Sequence, residues 1–496
     1  MRIMLLGPST FGIRRRHEFG YPTGLGYLSA ALEAAGHVAC VHDFYGTPWA
    51  DAAPEIERAL RREGPDLVGI QCLTMNRIAA AESARLVRRV LPRAVVAMGH
   101  VHASTLYEQI LTHHPVDVVV RGEGEATVVD LAAAVERNAG DLSDVPGLAF
   151  RRDGGVVVTR PRPLIEDLDT LPQAHHHPFA DYIRRRGVAH IVATRGCPVG
   201  CLFCSTTEYW GRRFRHRSPE RVADEVEYVV RALGARHIHF MDDAFTLHEP
   251  TVLGLCRELV RRRLGVTWEC SARVKPASLE MFRVMREAGC VYVGFGVESA
   301  SPRILARIGK RITSRDIRSA FDLAGAAGLR AGAFLMVGNP GESMASVYDT
   351  LRLLGHLHID DIHSEGYAAS PLEIYPNTRL YEEAKAAGAV DDAYWLQPKR
   401  PPLYTLEHSE DQLRLFAARV LVDSWTRGGL RRLVRCMAEY QRRSSWRSLA
   451  YVFYTLLAAP LILRMGPERP HPGERGLADR LLSPWRGLLW PHQEVI

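Results

Sequence analysis

Three thiols stand within eight residues of one another, in Cys197-Pro198-Val199-Gly200-Cys201-Leu202-Phe203-Cys204. Thiolates are the ordinary ligands of iron–sulfur clusters, and three on one short loop leave one iron of a 4Fe-4S cluster open to an external chelating ligand. The competing reading is a zinc site or three buried thiols. A closed structural zinc site takes four protein ligands, and no C-x2-C or H-x3-H partner follows downstream. The spacing therefore points to a cluster with one open position.

The other six cysteines (40, 72, 256, 270, 290 and 436) are scattered, and nine is an odd total. No disulfide framework is implied, which fits a reducing compartment. The start, Met1 to Gly7, lacks the long apolar stretch and small-residue cleavage site of an export signal, so the expected location is cytoplasmic. The formal charge of +7 is not spread along the chain. Residues 425–496 hold twelve Arg against five carboxylates, enough to account for the whole excess. A neutral remainder argues against a nucleic-acid-binding catalytic region and for a basic C-terminal surface.

With 496 residues, 47% of them hydrophobic, the chain is long enough for several packed cores. From residue 1 to 145 short apolar runs alternate with helical patterns: strands at 2–6, 38–44, 67–72, 94–98 and 116–120, and helices at 26–35, 53–62, 79–90, 105–111 and 126–136. That alternation predicts an α/β doubly wound, Rossmann-like parallel sheet, whose ligand lies at the carboxyl ends of the strands. The loops there run from Gly20 to Gly26, Leu73 to Met75, Gly99 to Ser104 and Gly122 to Glu125. Their glycines would let backbone approach a ligand closely.

Residues 146–189 read as a linker, with a hairpin at Asp153-Gly154-Gly155 and Pro-rich stretches. His175, His176 and His177 fall in it; neighbours in sequence rarely converge on one ion, so a solvated loop is expected. Six strand–helix units follow between 190 and 390, with strands at 190–194, 237–241, 266–272, 291–297, 330–337 and near 362–369. They predict a partial (β/α)6 TIM-type barrel, in which the cluster loop sits at the carboxyl end of the first strand. Residues 391–496 read as mostly helical. The apolar run Leu449 to Leu463 is short and carries Pro460, which favours a buried or interfacial helix over a membrane span, with peripheral membrane contact as the second reading.

The C-x3-C-x2-C motif with Phe203 before its last Cys resembles the radical S-adenosylmethionine (SAM) superfamily, and the preceding sheet resembles the cobalamin-binding domain found ahead of the cluster domain in many of its members. The resemblance covers about residues 1 to 390. It implies that Cys197, Cys201 and Cys204 hold a 4Fe-4S cluster whose open iron takes SAM. It places cobalamin against Pro22, Thr23, Gly24, Leu25, Leu73, Thr74, Met75, Gly99, His100, His102, Ala103, Gly122, Glu123 and Gly124. No Asp-x-His-x-x-Gly is present, so the implied cobalamin has its own base displaced and no axial histidine. In the barrel the resemblance implies SAM contacts from Asp242 and Asp243, standing in place of a Gly-Gly-Glu element, from Arg273 to the carboxylate, from Glu298 and Ser299 to the ribose, and from the Gly338 loop near the adenine. Pro371 to Thr378 is close to the family's Tyr-Pro-Gly-Thr, with Asn377 in place of the Gly.

The implied activity is C-methylation of a small molecule through a 5′-deoxyadenosyl radical and methylcobalamin. The alternative is an oxidative cyclisation or ring rearrangement, as in the anaerobic Mg-protoporphyrin ester cyclases. An external donor such as flavodoxin or ferredoxin would supply electrons, and the basic, aromatic-containing tail suits an acidic or lipid-like substrate.

Overall fold

The structure is a computed structural model, and it describes residues 1–9, 20–137, 141–357, 359 and 370–426. The first sheet has seven strands: β1 (Arg2–Gly7), β2 (Val38–Asp43), β3 (Leu67–Gln71), β4 (Val95–Gly99), β5 (Val118–Val120), β6 (Leu148–Arg152) and β7 (Gly155–Val158). Their order is β2-β1-β3-β4-β5-β6-β7, with the first five parallel and β6–β7 an antiparallel hairpin added beyond β5. The hairpin expected within the connecting stretch thus extends the sheet. Its turn at Asp153 and Gly154 takes positive φ at both residues, which Asp and Gly accept readily. Apolar strands such as β1 bury side chains on both faces, against two separate cores, as a parallel sheet covered by helices requires.

The second sheet is wholly parallel and holds β8 (Val188–Ile191), β11 (His237–Phe240), β12 (Thr267–Ala272), β13 (Cys290–Glu298), β14 (Arg330–Val337) and β15 (Ser370–Pro371), while β9 (Thr194–Arg195) and β10 (Arg215–His216) form a separate antiparallel pair. Apart from β9 and β10, which pair only with each other, the strands lie in the order β15-β14-β13-β12-β11-β8, a curled half-barrel. Alternation fixes its two faces. In β12, Trp268, Cys270 and Ala272 are buried in the largest core, while Glu269 and Ser271 occupy the other face. The sixth strand expected near 362–369 falls outside the described residues; the strand seen is Ser370–Pro371. The helix expected at 407–426 spans Glu410–Thr426. The further C-terminal helices, the apolar run at 449–463 and Cys436 lie outside the described residues.

Two local expectations are corrected. The first helix begins at Thr23, with Pro22 as its N-cap, so Thr23, Gly24 and Leu25 form a helical turn rather than a loop. Gly26 does not loosen that helix: a Cβ there would lie 2.6 Å from the His175 carbonyl oxygen, so its role is close packing. Nor is the triple histidine wholly solvated: His177 is exposed and His175 half-buried, but His176 is not. His176 is fully buried, with Tyr21 Oη 2.9 Å from Nδ1 and Glu225 Oε1 2.7 Å from Nε2. The segment straps the first helix to the barrel helix Pro219–Arg231, and that position buries His176.

Candidate active site between the two sheets

The cluster loop leaves the barrel through β9. Gly196 has φ +89°, and a Cβ there would stand 2.2 Å from the Arg213 carbonyl oxygen, so only glycine fits. The loop is pinned from outside: Leu202 N–H donates to Ile308 O at 2.9 Å, Leu202 O accepts from Leu380 N–H at 3.1 Å, and Arg379 Nη2 donates to Gly200 O at 2.8 Å. Cys197, Cys201 and Cys204 are free and half-buried. Burial pushes the Cys201 and Cys204 thiols up, with a neighbouring motif thiol adding to each and Lys310 opposing at Cys201. Their sulfur atoms do not crowd together as ligands of one ion would. Among the described residues, the group of three metal-ligand types within 4.8 Å of one another is Cys40, His42 and Glu63. Wider spacing suits a cluster, whose thiolates each bind a different iron, and disfavours a lone zinc. Phe203 packs against a small apolar cluster with Leu202, Leu372 and Ile374.

The polar residues expected around SAM lie at barrel strand ends. Asp242, just after β11, is buried; its carboxylate accepts from the Thr194 hydroxyl at 2.6 Å and from Thr194 N–H, with Ala193 N–H at 3.4 Å. Burial raises it to about 7, against these hydrogen bonds. Asp243 is exposed and accepts from Gly196 N–H at 3.3 Å and Thr206 Oγ1 at 2.9 Å, so it braces the cluster loop directly. Arg273 follows β12 and donates to Lys310 O at 3.1 Å. Lys310, which no motif singled out, donates to Glu298 Oε1 at 2.9 Å; burial opposes its charge, but Glu298 and Cys201 hold its pKa above the ordinary value. Two cations therefore converge beside Cys201. Glu298 itself has φ +64° at a register shift between β13 and β14, a strained conformation for a non-glycine residue.

Two expected residues have close protein neighbours. Ser299 is fully buried, with its hydroxyl 3.3 Å from Thr350 Oγ1 and accepting from Ser301 N–H at 3.2 Å. Gly338 has φ +82° and lies under Leu413 of the Glu410–Thr426 helix, whose Cδ2 a Cβ would meet at 2.3 Å. Asn377 does adopt the left-handed backbone expected of it, at φ +63°.

The loops at the carboxyl ends of the first sheet converge. Thr74 Oγ1 lies 3.2 Å from His102 Nδ1, and Gly122 N–H donates to Ser104 Oγ at 3.1 Å. His100 caps the short helix Val101–Thr105 with φ +84°, a second strained residue at an expected contact position. Burial lowers His100 to about 4 and His102 to about 3, so both rings are neutral near pH 7. Gly99, Ala103 and Leu73 carry no side-chain polar group, and Leu73 N–H is held by Asn76 Oδ1 at 2.7 Å.

These loops face the cluster loop. Tyr209, five residues past Cys204, donates to Gly122 O at 2.7 Å, and its ring stacks on His100 with centroids 6.1 Å apart. Glu123 is not free to meet a ligand. It is buried between Arg195 and Arg215 at 2.7 and 2.9 Å, and accepts from Ile165 N–H at 2.7 Å. Across the interface Tyr375 Oη lies 3.8 Å from Met75 Sδ. Spacing could not have revealed Tyr209, Arg195 or Lys310, because each acts across segments far apart in sequence.

An open half-barrel carrying a three-thiol loop, faced by the ligand-binding edge of a doubly wound sheet, defines a radical enzyme that uses a cluster and a second, large cofactor. Comparison with known proteins makes this specific. Residues 191–354 match the radical SAM superfamily and residues 10–132 the B12-binding domain. The chain is 32% identical over 401 residues to an uncharacterized methyltransferase of Pyrococcus horikoshii, covering 80% of this chain and 85% of that one. It is 30% identical over 343 residues to the anaerobic magnesium-protoporphyrin IX monomethyl ester cyclase of Rubrivivax gelatinosus, covering 67% and 61%. Its fold is similar to that of the radical SAM methyltransferase TsrM from Kitasatospora setae, at TM-score 0.67 and 22% identity over 78% of this chain and 76% of that one. The chain belongs to the cobalamin-dependent radical SAM enzymes, and its cofactors are a 4Fe-4S cluster, SAM and cobalamin. Among the described residues no helix is long and apolar enough to cross a membrane.

Proposed function

We propose that this enzyme methylates an unactivated carbon of a small-molecule substrate. When bound, the cofactors supply the chemistry: reductive cleavage of SAM to a 5′-deoxyadenosyl radical at the cluster, and methyl delivery by way of the corrinoid. The chain's own work is placement. Cys197, Cys201 and Cys204 hold the cluster, while Asp242, Arg273, Lys310 and Glu298 surround SAM. Arg273 and Lys310 are suited to its carboxylate, because a guanidinium or ammonium in a low-dielectric site pairs strongly with an anion. The stretch 22–25, which opens the first helix, and the loops 73–75, 99–103 and 122–124 would hold cobalamin. In domain terms, residues 1–145 form the cobalamin-binding unit, to whose sheet the β6–β7 hairpin of the 146–189 connecting stretch adds, and residues 190–390 form the barrel. An external electron donor and a cytoplasmic location complete the reading.

The observation that carries it is the face-to-face arrangement of the two loop sets, bridged by Tyr209 and Gly122 at 2.7 Å and by Glu123 and Arg195 at 2.7 Å. A substrate held between them is within reach of both cofactor sites. The similarity to the Pyrococcus horikoshii methyltransferase, over most of both chains, favours methyl transfer. The similarity to the cyclases supports a second reading, cyclisation without methyl transfer.

Reduced holoenzyme with SAM alone separates the two readings. Were methyl delivery to run by way of bound cobalamin, about one equivalent of S-adenosylhomocysteine per cobalamin would form in a first turnover. Formation of 5′-deoxyadenosine without S-adenosylhomocysteine would leave the cyclase-like reading.

A further inference from the structure

We infer that Cys40, His42 and Glu63 form a zinc site at the outer edge of the first sheet, separate from the cofactors of the radical chemistry. Cys40 and His42 are two residues apart on β2, so their side chains leave the same face of the strand. Among the described residues β2 is the edge strand, paired with β1 alone. Glu63 is the last residue of the helix Trp49–Glu63, held over that face by a left-handed C-cap at Gly64, φ +53°.

The three side chains converge. Cys40 Sγ lies 2.8 Å from Glu63 Oε2, and His42 Nε2 lies 3.1 Å from both carboxylate oxygens. All three donor atoms fall within 4.8 Å of one another. The His42 and Glu63 side chains are 21% and 24% exposed, enough for an ion to enter and too little for free solvation.

One thiolate, one imidazole and one carboxylate make a donor set suited to zinc, which takes Cys, His and Asp/Glu ligands together. A tetrahedral ion at about 2.0–2.3 Å from each donor holds them about 3.3–3.5 Å apart, so Cys40 Sγ and Glu63 Oε2, at 2.8 Å, need to part by about 0.7 Å and His42 Nε2 and Glu63, at 3.1 Å, by about 0.2 Å. The fourth position stays open to water. Without metal, the same atoms satisfy one another, with the thiol donating to the carboxylate. Binding therefore replaces the thiol proton with the ion and releases it to solvent. Arg62 Nη2, 2.6 Å from Glu63 Oε1, competes with a cation, but its side chain is 68% exposed and can swing away.

None of the proposed cofactor residues belongs to this group, so the site can be tested in the loaded enzyme. The full-length protein is prepared with cluster and cobalamin bound, so that iron occupies Cys197, Cys201 and Cys204. It is then given one equivalent of Zn²⁺, desalted, and its metal content measured. The expected result is about one zinc per chain, with X-ray absorption showing one sulfur at about 2.3 Å and nitrogen or oxygen at about 2.0 Å. Cys40→Ser combined with His42→Gln should retain none, with unchanged iron and cobalamin content. Should that variant not fold, Glu63→Gln serves in its place, and the single-sulfur coordination of the parent decides independently. Equal zinc in parent and variant, no zinc in either, or zinc only in iron-deficient protein would each overturn the assignment.

Discussion

Arg195 Nη1 donates to Glu123 Oε1 at 2.7 Å, joining the loop after β5 of the first sheet to the residue two positions before Cys197. Arg195 also pairs with Glu125 at 2.5 Å, and Arg215 with Glu123 at 2.9 Å. All four side chains are buried. Removing one member of a buried charge cluster leaves its partners uncompensated, at a cost of about 3–5 kcal/mol. Glu123→Ala is thus expected to lower the denaturation midpoint clearly, and Glu123→Gln, which keeps an acceptor, to lower it less. Equal stability of Glu123→Ala and parent protein would show that the network does not hold the two sheets together.

The three motif cysteines should be required for holding the cluster. Triple Cys→Ala protein, reconstituted anaerobically, is expected to lose the cluster's iron and its visible absorption. Retention of iron at the parental level would assign the cluster to other residues.

Asp242 should make stability fall as pH rises. Its folded pKa, raised to about 7 by burial, exceeds the unfolded value, so between pH 4 and 7 the folded state binds more protons than the unfolded one. Its contribution is therefore fully present below about pH 4 and lost as pH climbs through 7, by an upper bound of about 4 kcal/mol. Asp242→Asn should flatten the stability profile of the SAM-free protein over this window. A slope unchanged by the substitution would show that the carboxyl is ionised throughout.

Neutral His100, half-buried, and His102, buried, are available as nitrogen donors, yet His102 already meets Thr74 at 3.2 Å and His100 accepts from Val101 N–H at 2.8 Å. The cob(II)alamin form is expected to show no imidazole nitrogen coupling in its paramagnetic resonance spectrum, and His102→Ala should leave that spectrum unaltered. Coupling that vanishes in His102→Ala would identify His102 as an axial ligand.

Gly338 should not tolerate a side chain, because it combines a left-handed backbone with contact against Leu413. Gly338→Ala is expected to cost about 1–3 kcal/mol through strain and overpacking. A thermal midpoint equal to the parent's would mean that the Glu410–Thr426 helix yields easily.

Much of this protein is local in origin and was therefore legible in the chain. The alternation of apolar runs with helical periods specifies parallel sheets, because strand and helix periods follow from backbone geometry alone. The three-thiol loop is likewise contained in eight residues. The left-handed turn at Asn377 follows from the chemistry of one side chain. Tertiary structure decided what depends on segments meeting. It buried His176 against Glu225, 49 residues away, where the sequence suggested a solvated loop. It placed Lys310 beside Glu298 and Cys201, and it turned Ser299 towards Thr350. It also clamped Glu123, a residue expected to meet a ligand, between two arginines more than seventy residues further along the chain. Charges and hydrogen-bonding groups find their partners through space, at ranges of a few ångströms, and sequence spacing carries no record of such encounters once the chain has folded back on itself.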